Sequence, residues 1–492
     1  MWKEPWTFKE GFAIGVGLSA LGILLQTLVG PIAWNLVAWP VNIILLILYI
    51  VLLIVAYRLS GKVHFFRWGM SYYAAVPALV FVSLFAVVLG LMSDLSLLSS
   101  WSFVAVYSWM TSIVGMVCIK RIVHFRQWQR DVPFLLNHLG LFIALVTATL
   151  GHADFQRLQM TVGTGQMEWR AIDEQSQVHE LPFAIELRKF TIEEYPPQQV
   201  VQKETGRRVL EEHIPKQYVS EVTACTPDGT RQDATIKVNH PFDVEGWKVY
   251  QFSYGNTDGQ HADISVFEVV SDPWLSVVYT GIFMLILGAV CYAFFLPFAG
   301  IVAGTRWHRK WVFSFFLLLV LLSIGIFFFE QVRQGKTIMP ALQSPWFAPH
   351  VVIYMFCYTM MGVATWMALP VLFRRRKNLK QGGVPVKQHI FSLTDNLVCV
   401  GLSLMTIGML FGALWAKEAW GHYWAWDPKE TWAAATWFLF LTYLHFRLVR
   451  PHHHKLASLI LVLSFCCLQM CWWGINYLPS AQGRSVHTYN VK

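Results

Sequence analysis

Trp420-Gly421-His422-Tyr423-Trp424-Ala425-Trp426-Asp427-Pro428-Lys429-Glu430-Thr431-Trp432 sets four tryptophans beside a helix-start signal, between two long apolar runs. Asp427 suits an N-cap, Pro428 the first helical position and Glu430 the far side of a capping box, so the end of the stretch opens a helix. An aromatic belt at a membrane surface needs indoles near the interface but no fixed order. The ordered spacing fits a platform for a large, flat, hydrophobic ligand, since each indole offers a broad face and one polar handle.

Working outward from this motif, the chain is apolar over most of its length. Hydrophobic residues make up 55%, charged residues 14%, and the mean hydropathy is +0.46, values that belong to a polytopic membrane protein and exclude a soluble multidomain enzyme. Runs long enough to cross a hydrocarbon core of about 30 Å lie near 12–30, 36–57, 74–92, 101–119, 134–151, 274–298, 311–329, 350–373, 394–415, 431–449 and 456–473. The expected fold is therefore a polytopic α-helical membrane protein of about eleven transmembrane helices with one mainly β extracytoplasmic domain. Residues 1–151 form an N-terminal membrane region of five helices and 152–273 the β-rich domain. Residues 274–492 form a C-terminal membrane region of six helices that carries the motif at 420–432.

Basic residues collect at Arg58 to Arg67, Lys120 to Arg130, Arg306 to Lys310, Arg374 to Lys387 and Arg447 to Lys455. An eleven-span count puts all of these with the N-terminus on the cytoplasmic side of a cytoplasmic (inner) membrane, because short cytoplasmic loops retain positive charge. The β-rich insert, the tryptophan motif and the C-terminal tail then face outward, to the periplasmic side. Met1 to Glu10 leads straight into a full-length span without a small-residue cleavage site, so the first helix reads as retained. The net charge of +9 sits in the cytoplasmic loops and is explained by topology and anionic membrane lipid, with no nucleic-acid partner. Of the eight cysteines only Cys225 lies in the insert, which excludes an intramolecular disulfide framework there. No CxxC occurs, so any chemistry on such a pair would be done on a partner.

Within the insert, period-two alternation marks antiparallel strands at Phe183 to Phe190, Tyr218 to Thr223, Thr235 to Val238, Lys248 to Phe252 and Ile264 to Val270. Glu193 to Glu212, rich in Pro, Gln, Glu and Arg, reads as a mobile loop. The insert contains no triad, metal-ligand cluster or phosphate loop, which favours docking a partner or bracing the membrane part over catalysis.

Depth selects among the seventeen histidines. His350 stands at the outer mouth of the eighth span and His487 in the outer tail, both on the side of the tryptophan motif. Two neutral imidazoles beside aromatic planes are what six-coordinate haem iron requires, the indoles covering the macrocycle and the histidines supplying axial nitrogens. A second pair lies toward the inner leaflet. His138 begins the fifth span at its cytoplasmic end, and His445 lies about 21 Å below Thr431 on a straight helix. Ionisable groups inside a membrane are costly and usually functional, although water or headgroups can satisfy a histidine near a helix end. His452-His453-His454 reads as a basic turn, His422 as a solvated motif residue, and Lys429 and Arg484 as interfacial residues or propionate partners.

These residues together resemble the fused System II cytochrome c synthases, of the CcsB/CcsA or ResB/ResC type, in the haem-handling superfamily that carries the WWD motif. Trp420, Trp424, Trp426, Asp427 and Trp432 resemble the family's WWD segment. His350 and His487 fall where its two outer haem ligands lie, and His445 in Tyr443-Leu444-His445-Phe446-Arg447 resembles its second transmembrane histidine. Asn137-His138-Leu139-Gly140-Leu141, Asn239-His240-Pro241, Tyr250-Gln251-Phe252-Ser253-Tyr254 and Asp272-Pro273-Trp274 are similar to ResB segments, His138 matching the first transmembrane histidine.

The resemblance implies haem export followed by covalent attachment. Haem b is bound at His138 and His445, passes to His350 and His487, and is joined through its vinyl groups to the thiols of an apocytochrome c CxxCH, a holocytochrome c synthase (haem lyase) reaction that forms thioethers. A thiol or haem reductant system would accompany it. The alternative is a haem-delivery protein or chaperone that hands haem to a separate lyase. An ion-coupled transporter would carry acidic residues at mid-span, whereas Glu330 and Asp395 sit at span ends.

Overall fold

The computed structural model describes residues 4–201, 208–211, 215–255, 263–294, 339–373, 380–381 and 384–478. Among the described residues, five long helices lead into a β-domain and five follow it. The first set is α1 (Phe8–Val29), α2 (Val41–Leu59), α4 (Tyr72–Met92), α5 (Trp101–Val123) and α6 (Trp128–Gly151), with a short α3 (His64–Gly69) between α2 and α4. The second is α7 (Leu275–Phe294), α8 (Phe347–Phe373), α9 (Val386–Trp420), α10 (Pro428–Val449) and α11 (His454–Trp472). The expected span at 311–329 lies outside the described residues.

Among the described residues, nine helices are long and apolar enough to cross a membrane. The tenth long helix, α10, buries 13 of its 22 residues, and this enclosure by protein accounts for its lower hydropathy. A helix surrounded by other helices can carry threonines whose hydroxyls bond back to their own backbone, as Thr436 does to the Trp432 carbonyl at 2.7 Å and Thr442 to the Phe438 carbonyl at 2.8 Å. By contrast α1 and α2 expose Ile23, Leu24, Ile44 and Leu52 on an outer, lipid-suited surface.

The two sets of helices interlock. α10 packs against α4, and Trp432 donates its indole Nε1–H to the Gly90 carbonyl at 3.2 Å. α6 packs against α7 through small residues, a Cβ on Gly140 meeting the Gly281 carbonyl at 2.9 Å. At the end of the bundle away from the β-domain, Phe8 of α1 meets Phe446 of α10 at 6.2 Å between ring centroids. There Asp395 of α9 accepts from Tyr443 at 2.7 Å and from the Arg447 guanidinium at 2.8 Å. The span-end carboxylate is thus the anchor of α10.

The β-domain runs β1 (Gln156–Gly163), β2 (Met167–Ile172), β3 (Val178–Glu194), β4 (Gln198–Val201), β5 (Arg208–Glu211), β6 (Pro215–Cys225), β7 (Arg231–Lys237), β8 (Phe242–Val244), β9 (Trp247–Gly255) and β10 (Ile264–Ser271). Eight strands form one antiparallel sheet in the order β7-β6-β3-β2-β1-β10-β9-β8. Alternate residues Leu158, Met160 and Val162 of β1 join Ile185, Leu187, Val222, Val249 and Phe267 in its core. The sheet curls until β6 meets β9 and β10, where Ser220 hydroxyl bonds to Gln251 Oε1 at 2.6 Å and to Ser265 Oγ at 2.7 Å seal a buried polar seam. The segment expected to be a mobile loop is in part a hairpin, since β4 pairs with β5 from Gln198–Glu211 to Val201–Arg208. Backbone pairing overrides the polar composition there.

Candidate functional site

The tryptophan motif is held from three sides. Its C-terminal end is the capped start of α10. Asp427 Oδ1 accepts from the Glu430 amide at 2.8 Å, and Glu430 Oε2 accepts in return from the Ala425 amide at 2.8 Å and the Asp427 amide at 3.3 Å. Between these bonds Trp426 is held at φ +56°, a left-handed conformation that bulky residues avoid unless their surroundings impose it. The Thr431 hydroxyl adds a bond to the Trp426 carbonyl at 3.0 Å. Trp424 and Trp426 stand edge to face, with centroids 5.8 Å apart and planes at 84°. Trp424 Nε1 is buried without an acceptor among the described residues, a donor suited to an incoming polar group.

The N-terminal end of the motif rests on the β-domain. α9 continues past the apolar limit at 415 to Trp420, because its polar residues find buried partners. Lys417 pairs with Asp272 at 3.2 Å and donates to the Gly421 carbonyl at 2.9 Å, both charges being almost wholly buried. Glu418 accepts from the Trp346 indole at 2.7 Å and the Ser344 hydroxyl at 3.1 Å. Gly421 itself has φ +76°, and a Cβ there would meet Val270 Cγ2 at 2.9 Å and Glu268 Oε1 at 3.1 Å. Only glycine combines that backbone angle with so close an approach to β10.

His350 lies in the first turn of α8 against α9. Its Nδ1 is 2.7 Å from the Gly408 carbonyl, and since a carbonyl can only accept, Nδ1 carries the proton of that bond and Nε2 is the other ring nitrogen. Gly412, one turn on from Gly408, leaves room for the ring, since a Cβ there would lie 2.7 Å from His350 Cε1, and Gly408 leaves room for Tyr354 beside it. Tyr354 and Trp415 flank the imidazole at 4.9 Å and 6.0 Å, and Trp415 in turn meets Trp420 at 5.1 Å. A continuous run of rings therefore joins His350 to the first tryptophan of the motif.

In the half of the bundle away from the β-domain, His138 stands on α6 and His445 near the C-terminal end of α10. Their helices are distant in sequence. His138 Nδ1 bonds to the Phe134 carbonyl at 3.0 Å and His445 Nδ1 to the Leu441 carbonyl at 2.8 Å, so both repeat the Nδ1 bond of His350. Phe134 stacks on His138 at 3.9 Å and Tyr72 meets His445 at 5.9 Å. Three of the four candidate iron ligands thus have the ring orientation fixed by a backbone carbonyl, the arrangement by which proteins aim a ligating nitrogen.

Not every motif residue joins this platform. Trp432 is buried against Gly90 with Ala433 and Cys471, and it serves helix packing. Lys429 is half-buried in the first turn of α10. His487 and Arg484 lie outside the described residues. Gly408, Gly412, Trp415, Lys417 and Glu418 do not figure in the sequence reading. The Gly408-x-x-x-Gly412 spacing inside an apolar run was the available signal for this close packing; the charged pair had none, because its partner Asp272 is remote in sequence.

A cavity of about 600 Å³ opens between the sheet and the motif, lined by Arg157, Tyr250, Phe252, Glu268, Trp420 and His422 among others. Burial pushes the Glu268 carboxyl above the usual carboxylate range, and its bond from Arg157 at 2.7 Å opposes the shift.

Fold and site define a multi-pass membrane protein with a central β-domain that rests on an aromatic, histidine-bearing segment. Residues 125–263 match the ResB-like family and residues 275–481 the cytochrome c assembly protein family. The chain belongs to the fused CcsB/CcsA, System II family, which unites these two parts in one polypeptide. It is similar to the cytochrome c biogenesis protein CcsA of Chlamydomonas reinhardtii, with 34% identity over 32% of this chain and 45% of that protein. The protein of the same name from Synechococcus sp. (strain CC9902) is 30% identical over 32% of this chain and 60% of its own length. That of Cyanophora paradoxa is 27% identical over 46% of this chain and 84% of its own length. The chain thus spans about half the length of the first of these relatives.

Proposed function

We propose that this protein carries haem b across the cytoplasmic membrane and joins it covalently to apocytochrome c. In this reading the end bearing the β-domain and the tryptophan motif faces outward, and the end bearing His138 and His445 faces the cytoplasm. His138 and His445 receive haem iron through Nε2, and His350 with His487 hold it beneath Trp420, Trp424 and Trp426. Each thiol of the partner's CxxCH adds its S–H across one vinyl double bond, giving a thioether with no leaving group and no net oxidation. A reductant that keeps thiols and iron reduced belongs to the same scheme.

The chain's own contribution is orientation. A macrocycle fixed by a ligating nitrogen and flanking indoles presents its vinyl groups in one register, and such fixing can supply a large share of a rate enhancement. The observation that carries the reading is the shared bonding of His138, His445 and His350, each with Nδ1–H on a backbone carbonyl.

The test is to express the chain with an apocytochrome in a host lacking its own maturation system and to look for haem bound covalently to the cytochrome. Stable protein without product would overturn ligation. Haem retained by the purified protein, with product formed only when a separate lyase is supplied, would assign haem delivery instead.

A further inference from the structure

The cleft between sheet and motif contains a group that neither fold nor haem explains. Glu268 is 2% exposed; its Oε2 pairs with Arg157, while its Oε1 is buried with no hydrogen-bond partner among the described residues. Glu268 lines the cavity, and that oxygen faces the motif backbone at Gly421. An unmet buried acceptor is costly, so its environment is complete only when a donor arrives.

The strand beside it is equally incomplete. β8 pairs with β9 only from Phe242–Val249 to Val244–Trp247, and beyond Val249 the outer edge of β9 has no strand partner among the described residues. Tyr250, Gln251, Phe252, Ser253 and Tyr254 line the cavity; Tyr250 and Gln251 are buried, Gln251 being held by Ser220 of β6, and the open part of the edge is Phe252 to Tyr254, with Phe252 51% exposed. An open strand edge is a template for an extended peptide, with pockets for alternate side chains. Haem is a poor occupant here, because its polar groups are carboxylates and would meet a buried carboxylate oxygen.

We infer that this cleft takes an extended segment of the partner polypeptide, laid along β9 beside Trp420 and His422, with a donor of that segment closing on Glu268 Oε1. The inference rests on the apocytochrome reading above and adds the place where the peptide enters. It gives the resting sheet a purpose: the segment next to the reactive thiols is delivered to the first tryptophan of the motif.

The test uses the full chain in detergent and a synthetic apocytochrome peptide centred on Cys-x-x-Cys-His, both thiols replaced by serine so that no bond forms. Glu268→Gln, which turns an acceptor oxygen into an amide, is expected to raise the peptide Kd by roughly tenfold while leaving the Soret band of bound haem unchanged. A photoreactive side chain at Phe252, in an otherwise native chain, is expected to cross-link the peptide, and one at Trp169 on β2, which is 44% exposed, is not. Equal affinity for both forms, or equal cross-linking from both positions, would overturn the inference. Peptide binding reads the cleft alone and thioether formation on intact apocytochrome reads the function, so the two fail separately.

Discussion

His350 owes its direction to a glycine. With only 2.7 Å between its Cε1 and a Cβ on Gly412, Gly412→Ala must push the ring off the Gly408 carbonyl. The expected outcome is a shifted Soret band and reduced maturation, partly restored by added imidazole; an unaltered spectrum would remove Gly412 from the site. His350→Ala and His487→Ala are expected to weaken outer-site haem and abolish maturation. His138→Ala and His445→Ala are expected to lower haem content, and wild-type haem in all four would end the ligand assignment. Residue type and expected depth singled out the histidines, although α6 begins at Trp128 rather than near 134 and so carries His138 nearer its middle than its end. For His138 and His445 the bonded carbonyl lies four residues back on the same helix, whereas that of His350 belongs to Gly408 and depends on how the helices pack.

At the scale of elements, the join between α9 and β10 depends on Lys417 and Asp272. Removing one partner of a buried pair leaves a stranded charge, at a cost of about 3–5 kcal/mol. Asp272→Ala is therefore expected to lower the thermal midpoint clearly and to loosen the motif at Gly421. A midpoint equal to wild type would show that the pair is solvated. The β-domain also has a pH signature. Hydrogen bonds from Arg170 hold Glu168 down to about 2, and those from Thr226 and Thr230 hold Asp228 down to about 2. Folded values below unfolded ones mean stability that is present above the ordinary carboxylate range and lost as pH falls toward about 2. Glu268 acts with the opposite sign, its contribution being lost as pH rises through its raised value. Melting at about pH 6 and about pH 3 is expected to show a drop that Glu168→Gln reduces; an unchanged drop would remove that pair from the account. The strands at Phe183 to Phe190 and Ile264 to Val270 were readable because apolar residues alternate. The extension of α9 through Lys417 and Glu418 was hidden, since charge in sequence looks like a helix end until its partners are known.

At the scale of the whole molecule, the two halves depend on each other through α4 and α10. Gly90 sits 2.9 Å, measured from a built Cβ, from Trp432 Nε1, and Trp432 donates to its carbonyl. Gly90→Val is expected to cost about 1–3 kcal/mol by overpacking and, by displacing α10, to reduce haem at His138 and His445 as well. Normal haem loading with lowered stability would show that packing and the inner histidines are independent. The sequence by itself determined a membrane-embedded chain, its helical runs, its β insert and its capped tryptophan motif. Those follow from hydropathy, periodicity and local hydrogen bonding, which act over a few residues. Only the tertiary structure decided that Gly408 and Gly412 seat His350, that Trp432 packs rather than presents a face, and that β10 carries the motif. Each of these is a contact between residues far apart in sequence, and its energy exists only once the helices and the sheet have closed on one another.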